Sequence, residues 1–416
     1  MKLLSPKKTS KYSRFLLSII FLLLVISLIE FWLLFYKGQV PLKDKNISFP
    51  EIEKIKDNAS FSDLKTFFTK LAEEKGAPYA YKVLAVAPIP PNTDMHLLGH
   101  VVGDVLYKQQ GVKGISVCTQ NFRNACSHTI VVGLFMDKGE TALSEIIDAC
   151  RQAPGGIGAY GLCFHGLGHG ILAYTDYDLR KAIEICEKTG DIKNHNREPV
   201  ECISGTVMEI IGGGFHDRRL WEEQSKKYLT SDNPLSPCDS GFMPDVARSQ
   251  CYVYLTPRLF KLAGANLARP TPEDFKKAFP LCNQISNTTN RNSCYGGFGK
   301  EFVVLAKGRD IRNIEQMSDI ELGKIYEWCM LADTKEGGIA CILYATNSIF
   351  WGGENKPNVA IKFCSLIKEK DTNQVCFSNL IGAFGFYIKD KDYREKFCKE
   401  LPNLYHEECR KKLIES

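Results

Sequence analysis

Sixteen cysteines, arranged as eight close pairs, constrain the fold of this 416-residue chain more than any other feature. In most pairs the two cysteines are 11 to 13 residues apart. The pairs recur about every 35 to 50 residues, a period typical of stacked helical hairpins. The pairs are Cys118 and Cys126, Cys150 and Cys163, Cys186 and Cys202, Cys238 and Cys251, Cys282 and Cys294, Cys329 and Cys341, Cys364 and Cys376, and Cys398 and Cys409. Such cysteine usage indicates disulfides and an oxidising compartment.

Amphipathic segments with the helical period lie between the pairs, and each ends at the first cysteine of a pair, as in residues 142–150, 179–186 and 320–329. Within a pair, turn-forming residues predominate, as in Gln152-Ala-Pro-Gly-Gly and Asp371-Thr-Asn-Gln, and a more apolar segment follows the second cysteine. The sequence therefore predicts an all-α fold of about nine units. This fold is a helical-hairpin repeat array, an α/α solenoid or superhelix, with one disulfide at the turn of each hairpin.

The N-terminal segment predicts a membrane anchor. Residues 15–36 are mostly Leu, Ile, Phe and Val, and as a helix they could cross roughly 30 Å of hydrocarbon. Five basic residues and no acidic residue precede them, which predicts a cytoplasmic tail at residues 1–14 and an extracytoplasmic C-terminal domain. A cleaved signal peptide is the alternative, but the apolar stretch exceeds the usual length of about 7–15 residues and no A-x-A-like site follows it. We expect an uncleaved single-pass signal-anchor in the cell membrane, a linker at residues 37–60 and the repeat domain at residues 61–416.

The net charge of +5 comes from the N-terminal segment alone. Residues 38–416 carry 47 basic and 47 acidic residues and are neutral. Proteins that bind nucleic acid through its phosphates need a basic excess or a basic stripe. The sequence therefore predicts no nucleic-acid partner.

Five of the eight histidines occupy equivalent positions in consecutive repeat units: His96, His100, His128, His165 and His169. The last two follow Cys163 by two and six residues, and His128 follows Cys126 by two. Asp94 takes the place of the cysteine before His96 and His100. Residues four apart share one face of a helix, and neighbouring helices pack about 8–10 Å apart. If the second helices of consecutive units pack side by side, these imidazoles converge on one face.

This histidine cluster predicts a transition-metal site. Imidazole ligands, with a carboxylate from Asp104 as a sixth candidate, suit zinc, copper or iron better than calcium or magnesium. Five histidines leave open a dinuclear centre, a single ion with a histidine free for acid–base chemistry, or a non-covalent haem held by two histidines. Glycines beside the histidines, such as Gly99 and Gly166, indicate close approach of a ligand, a cofactor or the next helix.

Other residues and motifs have weaker support. Glu209 lies one position off the histidine face, where a salt bridge or a hydrogen bond to a ligand is expected. Met208 and Met136 fall on that face but are expected in the core, whereas His195 and His216 are expected at the surface. The G-x-G-x-x-G match at residues 156–161 lies between paired cysteines with no strand before it, so we interpret it as a hairpin turn.

Two functions from different classes remain open at this point. The first is a membrane-anchored metal- or haem-dependent protein that uses the five histidines, with a metal-dependent enzyme as one form of it. The second is a non-catalytic repeat scaffold that binds a protein, peptide or glycan partner, with structural histidines. No C-x-x-C, G-x-S-x-G or H-E-x-x-H motif is found, so zinc ribbons, serine hydrolases of that type and zincins have no support.

Overall fold

The computed structural model describes residues 49–190, 197–213, 217–266, 269–352 and 356–415. In these ranges the chain forms α-helices, short 3-10 helices and turns, without a β-strand. The first ten α-helices are α1 (Phe61–Lys75), α2 (Ala77–Val86), α3 (Met95–Gln110), α4 (Asn121–Lys138), α5 (Leu143–Gln152), α6 (Gly156–Tyr174), α7 (Leu179–Glu187), α8 (Arg197–Gly212), α9 (Arg218–Gln224) and α10 (Asp245–Tyr254). The others are α11 (Thr256–Leu262), α12 (Pro272–Ala278), α13 (Thr288–Ala306), α14 (Asp319–Cys329), α15 (Lys335–Gly352), α16 (Asn358–Leu366), α17 (Lys370–Tyr387), α18 (Lys391–Glu400) and α19 (His406–Leu413).

Polar side chains begin many of these helices. Ser60 caps α1, Ser318 caps α14, and each forms a reciprocal capping box with the acidic residue three positions later. Asp94 accepts a hydrogen bond from the Leu97 amide at the start of α3. Such caps satisfy backbone amides that have no partner within the helix. Asp94, which occupies the register position of the second cysteine in the other units, therefore caps the start of α3.

All eight predicted cysteine pairs are disulfide-bonded, which confirms the hairpin staple. The position of the second cysteine differs from the prediction, because it lies inside the second helix rather than before it. Cys376, for example, lies six residues after Lys370, the first residue of α17. Residues 371–374 are thus the first turn of that helix, whose amides are capped by the Glu369 carboxylate, and the turn predicted there is wrong.

The same correction applies to the glycine-rich segment at residues 156–161. It forms the first turns of α6 instead of a hairpin turn. The turn itself comes just before, where Gly155 has a φ of +117° and Gly156 a φ of +66°. Glycine adopts this left-handed region without the steric penalty that other residues incur.

Helix α3 and the helices that carry the second cysteine of each pair pack against one another in chain order and form an inner row. This row runs from α3 through α4, α6, α8, α10, α13, α15 and α17 to α19. The first helices of the hairpins, such as α5 and α7, pack on its outer side between successive members. A helical-hairpin repeat array is therefore what the described residues form, as predicted.

The inner row curls back on itself. Helix α6 contacts α17, and the backbone N–H of Asn92 donates a hydrogen bond to the Gly308 carbonyl oxygen at 2.9 Å. The Arg312 Nη1 atom donates to the carbonyl oxygens of Leu84 and Ala87, at 3.0 and 2.7 Å. These contacts join the first unit to a unit more than two hundred residues later. The array is thus a tightly curled superhelix whose inner helices surround a central cavity.

None of the described helices is long and apolar enough to span a membrane. The cytoplasmic tail predicted at residues 1–14 and the signal-anchor predicted at residues 15–36 lie outside the described residues. Of the predicted linker at residues 37–60, the described part contains a 3-10 helix, Pro50–Lys54.

Candidate metal centre

The five predicted histidines converge, and His128 lies at their centre. Its ring centroid is 5.3 Å from that of His96, 5.6 Å from His100, 5.9 Å from His165 and 6.2 Å from His169. These side chains come from α3, α4 and α6, three consecutive members of the inner row. The register two and six residues after the second cysteine therefore places them together.

His96, His100 and His128 form the tightest part of the cluster. Each offers one ring nitrogen such that these three atoms lie within 4.8 Å of one another. The Nε2 atoms of His96 and His100 are 3.0 Å apart. Zinc binds histidine nitrogen at about 2.0–2.1 Å, so a small rotation of these side chains would bring the three nitrogens onto one ion.

The orientation of His96 is set by the backbone of the next unit. Its Nδ1 lies 2.6 Å from the Phe122 carbonyl oxygen. A carbonyl has no proton to donate, so Nδ1 carries the hydrogen and Nε2 keeps its lone pair. Burial lowers the pKa of His96 to about 4, which keeps the ring neutral and able to bind a cation.

A left-handed turn delivers that carbonyl. Phe122, Arg123 and Asn124 have φ values of 57°, 54° and 63°, and the disulfide between Cys118 and Cys126 encloses them. Left-handed backbone costs about 1–2 kcal/mol for each residue that is not glycine. Such strain tends to occur where a function requires a particular geometry. Here it directs the Phe122 carbonyl to His96 and places the Arg123 side chain in the wall of the central cavity.

The side chain of His128 is buried, and its ring nitrogens make no hydrogen bond within the described structure. Only 1% of its surface is exposed. Burial and repulsion from the four neighbouring imidazoles hold its pKa well below the usual range, so the ring is neutral. An unsatisfied buried polar group costs about 1–3 kcal/mol. A bound cation would take the lone pair of one ring nitrogen and so satisfy that atom.

His169 is oriented by a buried carboxylate. Its Nδ1 lies 3.0 Å from Glu209 Oε2, and the other carboxylate oxygen accepts a hydrogen bond from the Tyr177 hydroxyl at 3.0 Å. Glu209 has no exposed surface. A carboxylate that accepts from Nδ1 fixes the ring and leaves the lone pair on Nε2, which is the usual arrangement behind histidine ligands. Glu209 was expected to form either a salt bridge or a hydrogen bond to a ligand, and its carboxylate contacts the ligand candidate His169.

His165 is held by the next inner helix. Its Nδ1 lies 2.7 Å from Ser204 Oγ, whose own hydrogen is donated to the Glu201 carbonyl. The hydroxyl therefore accepts, and the lone pair of His165 is on Nε2, 3.3 Å from the Met208 sulfur. Ser204 and Met208 occupy the same register in α8 as the histidines do in α6.

Glycines allow these helices to approach closely. A Cβ atom on Gly166 would lie 2.6 Å from the His128 Cα, and one on Gly168 would meet the Cys202 carbonyl. Neither position tolerates a side chain without movement of the neighbouring helix. Of the explanations considered for the glycines, close approach of the next helix therefore applies to these two.

A cavity of about 460 Å³ adjoins the cluster. His96, His128 and His165 line one side of it, and other inner helices complete the wall. Lys300 lies at the same register position in α13 as His169 does in α6, and it also faces this cavity. The repeat register thus identifies much of the cavity surface.

The remaining candidates lie elsewhere. Asp104 is exposed and is not part of the group of three histidines. Met136 is 47% exposed, so the prediction that it lies in the core is wrong. His406 forms a hydrogen bond with the Leu401 carbonyl oxygen in the last unit, and His195 and His216 lie outside the described residues.

Arg123, Phe122 and Tyr177 had no signal in the sequence. None of them occupies the repeat register, and their positions depend on left-handed backbone or on turns between helices.

Comparison with known proteins gave no match to a family model, a curated protein or a solved structure.

Proposed function

We propose that this protein is a metalloprotein whose His96, His100 and His128 bind a transition-metal ion, with His165 and His169 completing the coordination or holding a second ion. The observation that carries this proposal is His128, a neutral imidazole at the centre of four others, with neither ring nitrogen hydrogen-bonded among the described residues. Neutral imidazole is the commonest protein ligand for zinc, copper and iron.

The arrangement favours direct binding of an ion over a haem. A haem needs its two axial histidines on opposite faces of a flat macrocycle. Here the rings contact one another, with centroids 4.5 Å apart for His96 and His100 and 5.0 Å for His165 and His169. Among zinc, copper and iron, the Met208 sulfur beside His165 favours copper, since thioethers are soft ligands.

An enzymatic role is supported by the cavity beside the cluster. Three of the five histidines line a space of about 460 Å³, which falls in the range of small-molecule sites. A bound ion would supply Lewis-acid or redox chemistry there. The protein's own contribution is to fix the Nδ1 atoms of His96, His165 and His169. We propose a metal-dependent enzyme anchored to the outer face of a membrane.

The proposal is tested by metal titration of the full chain, purified with its disulfides intact. We expect about one zinc or copper ion per chain to bind, and His128→Leu to weaken that binding by about 10–100-fold or more, with unchanged helical circular dichroism. His406→Leu is the matched control, because His406 lies in the last unit and should leave binding unchanged. Equal metal binding by the wild type and His128→Leu would contradict the proposal.

A further inference from the structure

The wall of the cavity beside the histidine cluster is mostly apolar. Leu162, Val253, Phe260 and Trp351 contribute to it. Cavities of about 300–1,000 Å³ with an apolar lining and a few polar groups are typical sites for small organic molecules. The polar groups in this wall therefore determine which class of molecule it accepts.

Arg123 reaches the wall from the left-handed turn at the beginning of α4. Its Nη2 donates a hydrogen bond to Ser348 Oγ at 3.1 Å, and its guanidinium lies 5.9 Å from the centre of the Trp351 ring. The Nε atom is buried and has no hydrogen-bond partner among the described residues. A guanidinium nitrogen in such a place lacks an acceptor, and carboxylate or phosphate oxygens are the acceptors that match it.

Lys300 is the second cation in the wall. Its Nζ lies 4.3 Å from the centre of the Tyr254 ring, and the His165 ring stacks on the same tyrosine with centroids 5.0 Å apart. Burial, with repulsion from Arg123, lowers the pKa of Lys300 to about 8, so it remains mostly protonated at neutral pH. Two positive charges thus lie close enough to repel each other beside the histidine cluster.

The charge of Glu301 attracts both Arg123 and Lys300, but none of the acidic residues of the described wall forms a hydrogen bond or ion pair with either cation. Asp94 accepts from the Leu97 amide, and Glu301 lies 3.9 Å from Arg309 Nη1. The Thr256 hydroxyl, in the same wall, is also buried without a hydrogen-bond partner in the described part of the chain. Arg123, Lys300 and Thr256 can therefore each form a further hydrogen bond or ion pair with a polar ligand in this cavity.

We propose that this cavity binds an organic anion, whose carboxylate or phosphate contacts Arg123 and Lys300 while its apolar body lies along the rest of the wall. As the substrate class of the metal centre, this inference rests on the proposed function. An apolar molecule with an anionic head satisfies both parts of the lining, which an inorganic anion or a neutral hydrocarbon does not.

Binding of decanoate to the full chain, compared with decanol, tests the inference by isothermal titration. The two probes share an apolar body and differ in charge. We expect decanoate to bind about tenfold more tightly or better, and we expect Lys300→Gln and Arg123→Gln each to remove most of that preference. Lys300→Gln is the safer variant, because Lys300 lies in a regular helix and its replacement removes a partly buried charge.

Lys261→Gln is the control, since it removes the same charge from an exposed position outside the cavity, and it should bind both probes as the wild type does. Equal affinity for decanoate and decanol in the wild type, or an unchanged preference in both variants, would overturn the inference. Metal content measured on the same samples separates the two proposals. Metal binding without a preference for decanoate overturns only the anion site, whereas a preference for decanoate without metal binding overturns only the metal centre.

Discussion

Three of the five histidines are held in the same way at the atomic level. His96, His165 and His169 each use Nδ1 for a hydrogen bond to a fixed oxygen, which leaves the Nε2 lone pair for the cluster. The oxygens differ in kind: a strained backbone carbonyl, a serine hydroxyl and a buried carboxylate. Each fixes a tautomer before a metal binds, and this preorganisation reduces the free energy needed to order the ligands.

Glu209 is the partner whose removal is easiest to interpret. Glu209→Gln keeps the size of the side chain but weakens the hydrogen bond to His169 Nδ1, so we expect metal affinity to fall by about 10–100-fold. Glu201→Gln, in the same helix, is the matched control, because the Glu201 side chain pairs with Arg197. Titration of both variants with zinc checks this, and equal affinities would show that Glu209 is only structural.

Glu51 gives a pH dependence that is independent of the cluster. Hydrogen bonds from Lys75 and Tyr79 lower the pKa of Glu51 to about 2. Because the folded-state pKa lies below that of the unfolded chain, this contribution to stability is present above about pH 4.5 and is lost as the pH falls towards 2. Thermal unfolding of the wild type and Glu51→Gln should therefore differ most above pH 4.5 and converge in acid. A constant difference across this range would contradict the assignment.

At the scale of the elements, the repeat register was predictable from the sequence. Counting two and six residues from the second cysteine, or from Asp94 in the first unit, places five histidines, Ser204 and Met208 in one cluster, although the second cysteine lies inside its helix. The count succeeds because the inner helices pack side by side in chain order, which brings equivalent positions together. The place of Arg123 in the cavity wall could not be predicted, because Arg123 lies outside the register, in left-handed backbone that residues other than glycine rarely adopt.

Close packing between α4 and α6 is a second property of the elements that can be tested. A methyl group on Gly166 would collide with the His128 backbone, so we expect Gly166→Ala to lower stability by about 1–3 kcal/mol and to weaken metal binding. Gly323 lies in α14, where a methyl group would meet open space within the described structure. Gly323→Ala should raise stability by about 0.5–1 kcal/mol through its helix propensity. Chemical unfolding measures both, and similar effects of the two substitutions would refute the packing argument.

At the scale of the whole molecule, the cavity depends on the curl of the superhelix. A straight solenoid would leave Arg123 and Lys300 on separate units, far from a shared wall. The sequence predicted a solenoid or superhelix but not its curvature, because curvature depends on small rotations between repeats. The contacts that close the array, such as those of Arg312, join residues more than two hundred positions apart and leave no local pattern.

Arg312 provides a test of this closure. Arg312→Gln removes charged hydrogen bonds to the carbonyls of Leu84 and Ala87, each contributing about 1.5–3 kcal/mol. We expect faster amide hydrogen exchange in α2 and at the start of α3, far from the substitution in sequence. Arg248→Gln is the control, since Arg248 donates to carbonyls of Cys238 and Ser240 within its own unit. Exchange that rises only around residue 312 would show that the closing contact carries little energy.

X-ray absorption at the metal edge of the full chain, loaded with zinc or copper, tests whether the histidine cluster binds the ion. We expect the multiple-scattering pattern of imidazole, with at least three nitrogen ligands, at about 2.0–2.1 Å if the ion is zinc. That pattern should diminish in His128→Leu and persist in His406→Leu. A spectrum with oxygen ligands alone, or the same spectrum in His128→Leu as in the wild type, would contradict the assignment of the histidine cluster as the metal centre.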